Sequence, residues 1–273
     1  MTFLVPGTHW TRLNEADVIL VLDCDLPWIP ANATPREDAR VFVVDGGDPL
    51  KLGIGYWHVD AEMVCRADAG VALMQIEVLL RQMGLEEGSW NHHVHREDGD
   101  IDLKKVEIAV EERRQQLKTD HRALLKRLED TENEYPSSSI TSTSTSSFTV
   151  PNLMSILQQS ISNLTPSKGA NVLVLNESIS NFPATWMHLR PEYPGSMISS
   201  GGSSIGWALG AAVGASLGAI KLGTASTGQK GYELVVAVVG DGSFMFGVPS
   251  SAYWMARKYQ TVSHWICKRL ALS

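Results

Sequence analysis

The stretch Glu233–Ser243, which reads ELVVAVVGDGS, decides the fold of this chain. Its first part is an uninterrupted run of apolar and mostly β-branched residues, which is the pattern of a strand buried on both faces of a parallel sheet. The run stops at Gly240-Asp241-Gly242-Ser243, and Phe246–Lys258 then has the spacing of a helix. A buried strand, a glycine-rich turn and a helix together predict an α/β domain with a parallel sheet covered by helices.

The turn that ends this strand has the composition of an anion site. Glycines allow backbone N–H groups to approach an anion closely, and the start of a helix favours negative charge. The Asp241 carboxylate would repel a bare phosphate, so such a site needs a divalent cation between the two groups, and Mg²⁺ commonly binds this way. A tight turn with Asp241 as a helix cap explains the same residues equally well, and both interpretations stay open at this point.

Three earlier segments predict elements of the same domain. Pro151–Leu164 predicts an amphipathic helix, Asn171–Asn176 a second buried strand, and Ile205–Leu222 a helix rich in small residues. Ligands in parallel sheets bind beyond the carboxyl ends of the strands. We therefore expect Asn176 and Gly240 to lie close together at one edge of the sheet.

Two polar segments belong to this predicted edge. Ser178 and Ser180 follow the second strand, and their hydroxyls either bind a phosphate or cap the next helix. The flexible loop Gly201–Gly206 opens the small-residue helix, and helix capping explains it as well as ligand binding does.

The N-terminal part of the chain predicts another α/β segment. Asp17–Asp23 and Val41–Asp45 have the composition of buried strands, and a turn at Gly46–Pro49 follows. Ala67–Met83 has apolar residues at helical spacing and is followed by Gly84, a typical C-cap residue. This order resembles the later part of a doubly wound domain.

The middle of the chain predicts a connection. Residues 97–134 are highly charged and helical in character, which is typical of a solvent-facing helix, and residues 136–147 are almost entirely Ser and Thr, which is typical of a linker. His92, His93 and His95 lie in a polar turn without acidic or Cys partners at ligand spacing, and we interpret them as solvent-exposed.

Composition excludes several classes of function. The net charge of −7 argues against a nucleic-acid partner, which would need a basic face. The three cysteines have no metal-type spacing and fit a reducing interior. Residues 1–10 lack the pattern of a signal peptide, so a cytoplasmic location is expected.

Two further patterns are rejected. Ile205–Leu222 has glycines spaced four apart, but it is dominated by Ala and Gly, whereas a membrane helix needs roughly 20 strongly apolar residues. No membrane partner is therefore predicted. Gly223–Lys230 is close to a phosphate-binding loop, but Gln229 interrupts the motif and the segment follows a helix instead of a strand.

Four stretches together resemble the diphosphate-binding domain of thiamine diphosphate (ThDP) enzymes, with benzoylformate decarboxylase and the acetolactate synthase-like proteins as the nearest groups. They occur in the family's order: Leu175–Ser180, Pro194–Ser196, Gly201–Gly214 and Val235–Ser243. The resemblance runs from about Val150 to Lys258, and residues 13–82 are similar to the last part of the family's central domain.

The resemblance implies a fold and a domain organisation. It implies Rossmann-like parallel sheets covered by helices, as a partial central domain and a partial diphosphate-binding domain. The expected boundaries are 1–95 for the central-domain part, 96–149 for the connection and linker, and 150–273 for the diphosphate-binding part.

The resemblance also implies the roles of individual residues. Asp241 matches the family's Mg²⁺ ligand, and the ThDP-binding positions are Ser180, Ser203, Ile205, Gly240, Gly242 and Ser243. Of these, Ser180 and the glycine turn match positions at the diphosphate. The Ser203 carbonyl matches an acceptor for the aminopyrimidine, and Ile205 matches the residue that bends the cofactor into a V shape.

The resemblance implies a lyase or transferase that depends on ThDP and Mg²⁺ and decarboxylates or joins 2-oxo acids. It also implies that full-length members of the family form homo-oligomers. The bent cofactor brings its 4′-imino group close to thiazolium C2, which attacks the 2-oxo acid.

The sequence departs from the family pattern at two places. An Asn that supplies a second metal ligand should fall near Cys267–Arg269, and none is present there. Thr261–Ser273 also lacks the expected apolar strand. No Glu in the chain matches the family's catalytic glutamate. Two hypotheses follow: a catalytically incomplete ThDP-binding chain, or a non-catalytic interaction fragment that pairs with a full-length relative.

Overall fold

The computed structural model describes residues 11–24, 27–28, 30–31, 33–47, 59–82, 85–86, 89–90, 103–134, 148–200, 204–224, 231–261 and 263–268. The predicted Gly84 C-cap, the three histidines, the Ser/Thr-rich linker and most of the rejected phosphate-loop motif lie outside these residues. The chain divides into two compact units, Met1–Ala123 and Leu124–Ser273.

The first unit contains a three-stranded parallel sheet in the order β1-β2-β3. The strands are β1 (Val18–Leu22), β2 (Arg40–Asp45) and β3 (Met63–Arg66), and a 3-10 turn precedes them at Thr11–Glu15. The structure confirms the two predicted strands. The third strand was not predicted, because its four residues form no extended apolar run. The small core of this sheet consists of Val21, Trp28, Val41 and Val43.

The predicted helix after this sheet is confirmed as α1 (Ala69–Gln82). It has no buried residue, although its sequence is apolar. Its exposed apolar side chains are Val71, Leu73, Met74, Ile76, Val78, Leu79 and Leu80. Two short antiparallel strands follow, β4 (Leu85–Glu86) and β5 (Ser89–Trp90).

The charged segment forms one long helix, α2 (Leu103–Asn133), as predicted. The expectation that this helix faces solvent is wrong at Glu132, which is buried although its neighbours in the last turn are exposed. Glu132 Oε1 accepts a hydrogen bond of 2.7 Å from Arg190 Nη2 and lies 2.8 Å from His188 Nδ1. The backbone oxygen of Glu132 also accepts a hydrogen bond of 2.5 Å from Asn152 Nδ2. The cationic partner and the polar contacts offset the cost of burying this carboxylate.

The second unit is built on a four-stranded parallel sheet in the order β7-β6-β8-β9. Its strands are β6 (Val172–Glu177), β7 (Met197–Ile198), β8 (Leu234–Gly240) and β9 (Ser263–Lys268). Every residue of β6 is buried, and so are the five central residues of β8. The predicted α/β class with parallel sheets is therefore confirmed.

Helices cover both faces of this sheet. They are α3 (Val150–Leu164), α4 (Phe182–Leu189), α5 (Ala208–Thr224), α6 (Asp241–Phe246) and α7 (Pro249–Lys258). Side chains alternate along β6, so Val172 and Val174 pack with α3 and α4, while Leu173 and Leu175 pack with α5. Two separate apolar clusters result, one on each face.

The small residues of α5 divide between its two sides. Ala208 and Ala212 are fully buried in the cluster with β8, which agrees with a helix packed closely on a sheet. Gly210, Gly214 and Gly218 have no atom within 4 Å of an added Cβ. These three glycines therefore lie on the side of the helix that faces away from the sheet. In the described part of the chain, no helix has the length and apolar content to cross a membrane.

Two predicted features at the end of the chain are corrected by the structure. The helix expected at Phe246–Lys258 is α7, which begins only at Pro249, because Val248 has a left-handed φ of 48° and separates it from α6. Pro249 disfavours a right-handed helical conformation for the residue before it, so the helix breaks there. The tail, expected to lack a strand, contains β9, whose backbone pairs with β8 from Ser263 to Lys268. Backbone pairing does not require an apolar run, and Trp, Ile and Cys tolerate an extended conformation.

A testable consequence concerns the buried carboxylate at the end of α2. We expect Glu132→Ala to lower the free energy of unfolding by about 3–5 kcal/mol, because the partly buried Arg190 is left without its counter-charge. Chemical denaturation measures the change. Glu129→Ala, an exposed position on the same helix, is the matched control and should change stability by less than about 0.5 kcal/mol. Equal effects of the two variants would contradict this account of Glu132.

Candidate functional site

The carboxyl ends of β6 and β8 meet at one edge of the second sheet, as predicted. The two strands are hydrogen-bonded neighbours, with Glu177 paired to Val239. A Cβ atom added to Gly240 would lie 3.8 Å from the backbone oxygen of Glu177. The residues that follow these two strands therefore form one continuous surface, which we call the carboxyl edge.

The Gly240–Ser243 turn begins α6 without a capping side chain. Gly240 is the N-cap residue in an extended conformation, and Asp241 is already the first residue of the helix. Asp241 is therefore not the N-cap residue of this helix, contrary to the alternative interpretation of the turn. The Asp241 side chain is exposed, and a Cβ added to Gly242 would meet nothing within 4 Å. This part of the edge has open space beside a solvent-accessible carboxylate.

Ser243 differs from its neighbours in this turn because it is only 3% exposed. Its backbone oxygen accepts a hydrogen bond of 2.9 Å from Gly247 N–H, which closes α6. Ser243 therefore lies beneath the open surface formed by Asp241 and Gly242.

The two serines after β6 have different environments. The Ser178 hydroxyl is buried, donates to Asn176 Oδ1 at 2.7 Å and lies 2.9 Å from Thr185 Oγ1. Ser178 thus stabilises the start of the following turn and is not available to a ligand. Ser180 is exposed in the 3-10 turn Ile179–Asn181. Of the two predicted phosphate donors, only Ser180 presents an accessible side chain.

Sequence reasoning did not identify Glu177, which makes the most specific contacts at this edge. Its side chain is only 1% exposed. Oε1 accepts a hydrogen bond of 2.9 Å from Trp207 N–H, and Oε2 accepts one of 2.8 Å from Ala208 N–H. The first N–H groups of a helix have no partner within the helix, and a carboxylate there is also favoured by the helix dipole. Glu177 therefore ties the end of β6 to the start of α5.

A sequence signal for this contact does exist. A buried strand that ends on an acidic residue leaves a carboxylate in an apolar environment, where it needs hydrogen-bond donors. The sequence before α5 reads Ile205-Gly206-Trp207 and offers no Ser, Thr, Asp or Asn directly ahead of the helix to serve as its cap. The carboxylate needs donors and the first N–H groups of α5 need acceptors, but only the fold brings these groups together.

The loop that leads into α5 is held close to α6 through Gly206. This residue has a φ of +91°, and an added Cβ would lie 2.9 Å from Phe246 Cδ1 and 3.1 Å from the Gly247 Cα atom. Glycine is needed here both for its backbone conformation and for the close approach. The preceding residue, Ile205, is 39% exposed beside this contact. Ser203, the other predicted position in this loop, lies outside the described residues.

A metal ion at this edge would have few protein ligands. Across the described ranges, no group of three His, Cys, Asp or Glu side chains is arranged to hold a metal. Asp241 would have to share a cation with phosphate oxygens, carbonyl groups or water, which is how Mg²⁺ often binds. The position where a second ligand was expected lies in register with the site, since Lys268 pairs with Gly240 and Cys267 with Val239.

Residues 179–263 match the model of the family described as thiamine pyrophosphate enzyme, C-terminal TPP binding domain. Thiamine pyrophosphate is another name for ThDP. The matched segment contains Ser180, Ile205 and the whole Gly240–Ser243 turn. The resemblance to ThDP enzymes predicted from the sequence is therefore confirmed, and residues 179–263 are similar to a TPP-binding domain. No curated protein matches the chain in sequence.

Solved structures show the same fold. One is a protein from Mycobacterium smegmatis assigned to the thiamin diphosphate-dependent enzymes, with 19% sequence identity and a TM-score of 0.52. Another is benzoylformate decarboxylase from Polynucleobacter necessarius, with 16% identity and a TM-score of 0.50. Each comparison covers 92% of this chain, but only 37% and 36% of the two solved chains. The chain thus spans little more than a third of the length of these structures.

We predict that Glu177→Gln loosens the start of α5. The Gln side chain offers one acceptor and places an amino group against the second N–H, so one buried donor loses its partner. Hydrogen exchange should show reduced protection of the Trp207 and Ala208 amides, and the free energy of unfolding should fall by about 1–3 kcal/mol. Glu233→Gln is the control, because that carboxylate also accepts from a backbone N–H, of Ser167, but is exposed. Unchanged exchange at both amides in Glu177→Gln would disprove the role of Glu177.

A second prediction compares two glycines near the start of α5. We expect Gly206→Ala to destabilise the protein by at least about 1–2 kcal/mol, because the left-handed backbone disfavours a side chain and the added methyl contacts Phe246. Gly210→Ala should instead stabilise it by about 1 kcal/mol, since Gly210 lies inside α5 with open space around it. Thermal unfolding of both variants measures the difference. Changes of the same sign would be inconsistent with this geometry.

Proposed function

We propose that this chain binds thiamine diphosphate together with Mg²⁺ at the carboxyl edge of its second sheet. The observation that carries the proposal is the exposed Asp241 carboxylate, which directly follows a buried strand and lies beside open space at Gly242. This arrangement lies within the segment that matches the TPP-binding domain. Asp241 would hold the cation, and the cation would neutralise the diphosphate next to it.

The other residues of the edge suit the same ligand. Gly240 and Gly242 lack side chains and leave the backbone N–H groups of the turn accessible to phosphate oxygens. The exposed hydroxyl of Ser180 would donate to the diphosphate from the end of β6. Buried Ser243 would act through its backbone and by supporting the turn.

The loop before α5 would hold the organic part of the cofactor. Ile205 presents a half-exposed apolar side chain, which fits contact with the bend of the cofactor, and the Ser203 carbonyl would accept a hydrogen bond from the aminopyrimidine. The position of Ile205 depends on the Glu177 contact and on the close approach of Gly206 to α6. The chain would thus bind the cofactor through the same elements that fix its own fold.

Bound ThDP supplies an electron sink for the decarboxylation or joining of 2-oxo acids. We propose that this chain alone holds the cofactor but does not turn over such a substrate. The acidic side chain buried at the carboxyl edge, Glu177, already accepts two backbone hydrogen bonds, so it cannot serve as a proton relay to the cofactor. No Glu in the sequence matches the family's catalytic glutamate.

A second candidate function is an interaction role without catalysis, in which the chain pairs with a full-length ThDP enzyme. The observation that favours it is α1, an apolar helix with no buried residue. Exposed apolar surface of this kind marks an interaction site or a liability to aggregation. Co-purification with a full-length relative, lost when Leu73 and Leu79 are changed to Ser, would support this role, and a monomer that captures no relative would exclude it.

The cofactor proposal predicts a specific dependence on Asp241. Calorimetric titration of the chain with ThDP in the presence of Mg²⁺ should give saturable binding. Asp241→Asn should weaken this binding tenfold or more, a loss of about 1.4 kcal/mol or more, because the amide removes the charge that holds the cation. Chelation of Mg²⁺ should lower the affinity of the unmodified chain to the level of the variant.

Asp130→Asn is the matched control, since it makes the same change at an exposed position of α2. It should leave ThDP binding unchanged. Binding that is insensitive to both Asp241→Asn and chelation would remove Mg²⁺ from the proposal. Absence of any binding by a folded chain would overturn the proposal as a whole.

A further inference from the structure

We infer that Ile179 contacts the organic part of the bound cofactor, and this inference rests on the proposed function. The contact would make the carboxyl edge selective for a diphosphate that carries a ring. Ile179 has a left-handed φ of 33°. A β-branched residue is rarely found in this conformation, because its Cβ atom lies too close to the following carbonyl oxygen.

The left-handed backbone of Ile179 has no cause in the adjacent sequence. Six non-glycine residues in the described part of the chain have a positive φ, and two of them, Ile179 and Val248, are β-branched. Val248 precedes Pro249, which disfavours a right-handed conformation for it. No proline follows Ile179. Its conformation is instead imposed by the contacts on both sides of it.

Hydrogen bonds hold the chain before and after Ile179. Ser178 donates through its N–H and its Oγ to Asn176 Oδ1, at 3.1 and 2.7 Å. Asn181 N–H donates to Ser178 O at 2.8 Å. Glycine would adopt the imposed φ without strain, so an isoleucine lowers stability here unless its side chain makes a contact that offsets the strain.

The protein itself supplies only part of such a contact. Ile179 is 46% exposed and belongs to neither of the two apolar clusters that hold the second unit. Strained residues of this kind are concentrated at ligand sites, where the side chain is needed for function. A bound ligand would supply the remainder of the contact.

The position of Ile179 agrees with a role in the proposed site. It follows Glu177 by two residues, and its turn contacts β8. Ile205 is 39% exposed and lies two residues before Trp207, whose N–H donates to the Glu177 carboxylate. Two exposed isoleucines therefore flank the Glu177 contact, one next to β6 and one next to α5.

The chemistry of the Ile179 side chain selects the part of the ligand that it meets. Isoleucine cannot donate a hydrogen bond or hold a cation, so it adds nothing to the binding of diphosphate or Mg²⁺. An apolar side chain contributes by removing apolar surface of the ligand from water. The ring of ThDP that carries the diphosphate offers such a surface. Sites for small molecules commonly combine apolar walls with a few polar groups.

Calorimetric titration with ThDP and with inorganic pyrophosphate, each in the presence of Mg²⁺, tests the inference. Ile179→Gly should weaken ThDP binding by about fivefold or more and change pyrophosphate binding by less than about twofold. Retained pyrophosphate binding also shows that the variant is folded. Ile179→Asn, which tolerates the left-handed backbone as well, should behave in the same way. Ile179→Val keeps a β-branched side chain and should bind ThDP within about twofold of the unmodified chain.

Two further variants complete the test. Gln260→Gly is the matched control, because Gln260 is exposed and has a left-handed φ of 51° but lies at the amino end of β9. It should leave both affinities unchanged. Ser180→Ala should weaken both ligands equally, since its hydroxyl would donate to the diphosphate.

The outcomes separate this inference from the proposed function. Unchanged ThDP binding by Ile179→Gly would overturn the inference and leave the proposed function intact. An equal loss of ThDP and pyrophosphate binding would also overturn it, because Ile179 would then act only through the turn that carries Ser180. A folded, unmodified chain that binds neither ligand would overturn the proposed function and the inference with it.

Discussion

The contact on which the carboxyl edge depends is the pair of hydrogen bonds from Trp207 and Ala208 N–H to the buried Glu177 carboxylate. It satisfies the first N–H groups of α5 and the charge of a side chain that lies inside the unit. The contact fixes the start of α5 against the end of β6, so it also determines where the loop with Ile205 and Gly206 leaves the sheet.

Apolar and polar contacts have different roles in the second unit. Alternating side chains on β6 and β8 bury one cluster under α3 and α4 and another under α5, and these clusters hold the sheet. The ends of the strands carry the polar groups. Glu177 and Ser178 are satisfied within the protein, whereas Asp241 and Ser180 remain exposed. A rigid sheet with accessible groups confined to one edge is the arrangement that suits a pre-formed cofactor site.

The elements that the sequence predicted well are those with long, uniform patterns. The apolar runs before Asp23, Asp45, Asn176 and Gly240 are strands, and the small-residue segment is a helix. Short or edge elements such as β3 and β7 were missed, because two to four residues carry too little pattern. The break at Val248 and the strand β9 were also mispredicted. Backbone pairing with β8 decides the strand, and a local conflict with Pro249 decides the break.

At the candidate site, the sequence by itself determined which residues have the right chemistry: a carboxylate between two glycines, hydroxyls after a strand, and a glycine-rich loop. It could not distinguish Ser178 from Ser180, or a capping Asp241 from an accessible one, because burial and hydrogen-bond partners are properties of the packed chain. The Glu177 contact joins residues 30 or more positions apart, and so do the contacts of Glu132 with His188 and Arg190. Only the tertiary structure decided these features, since each needs two segments whose proximity no local pattern records.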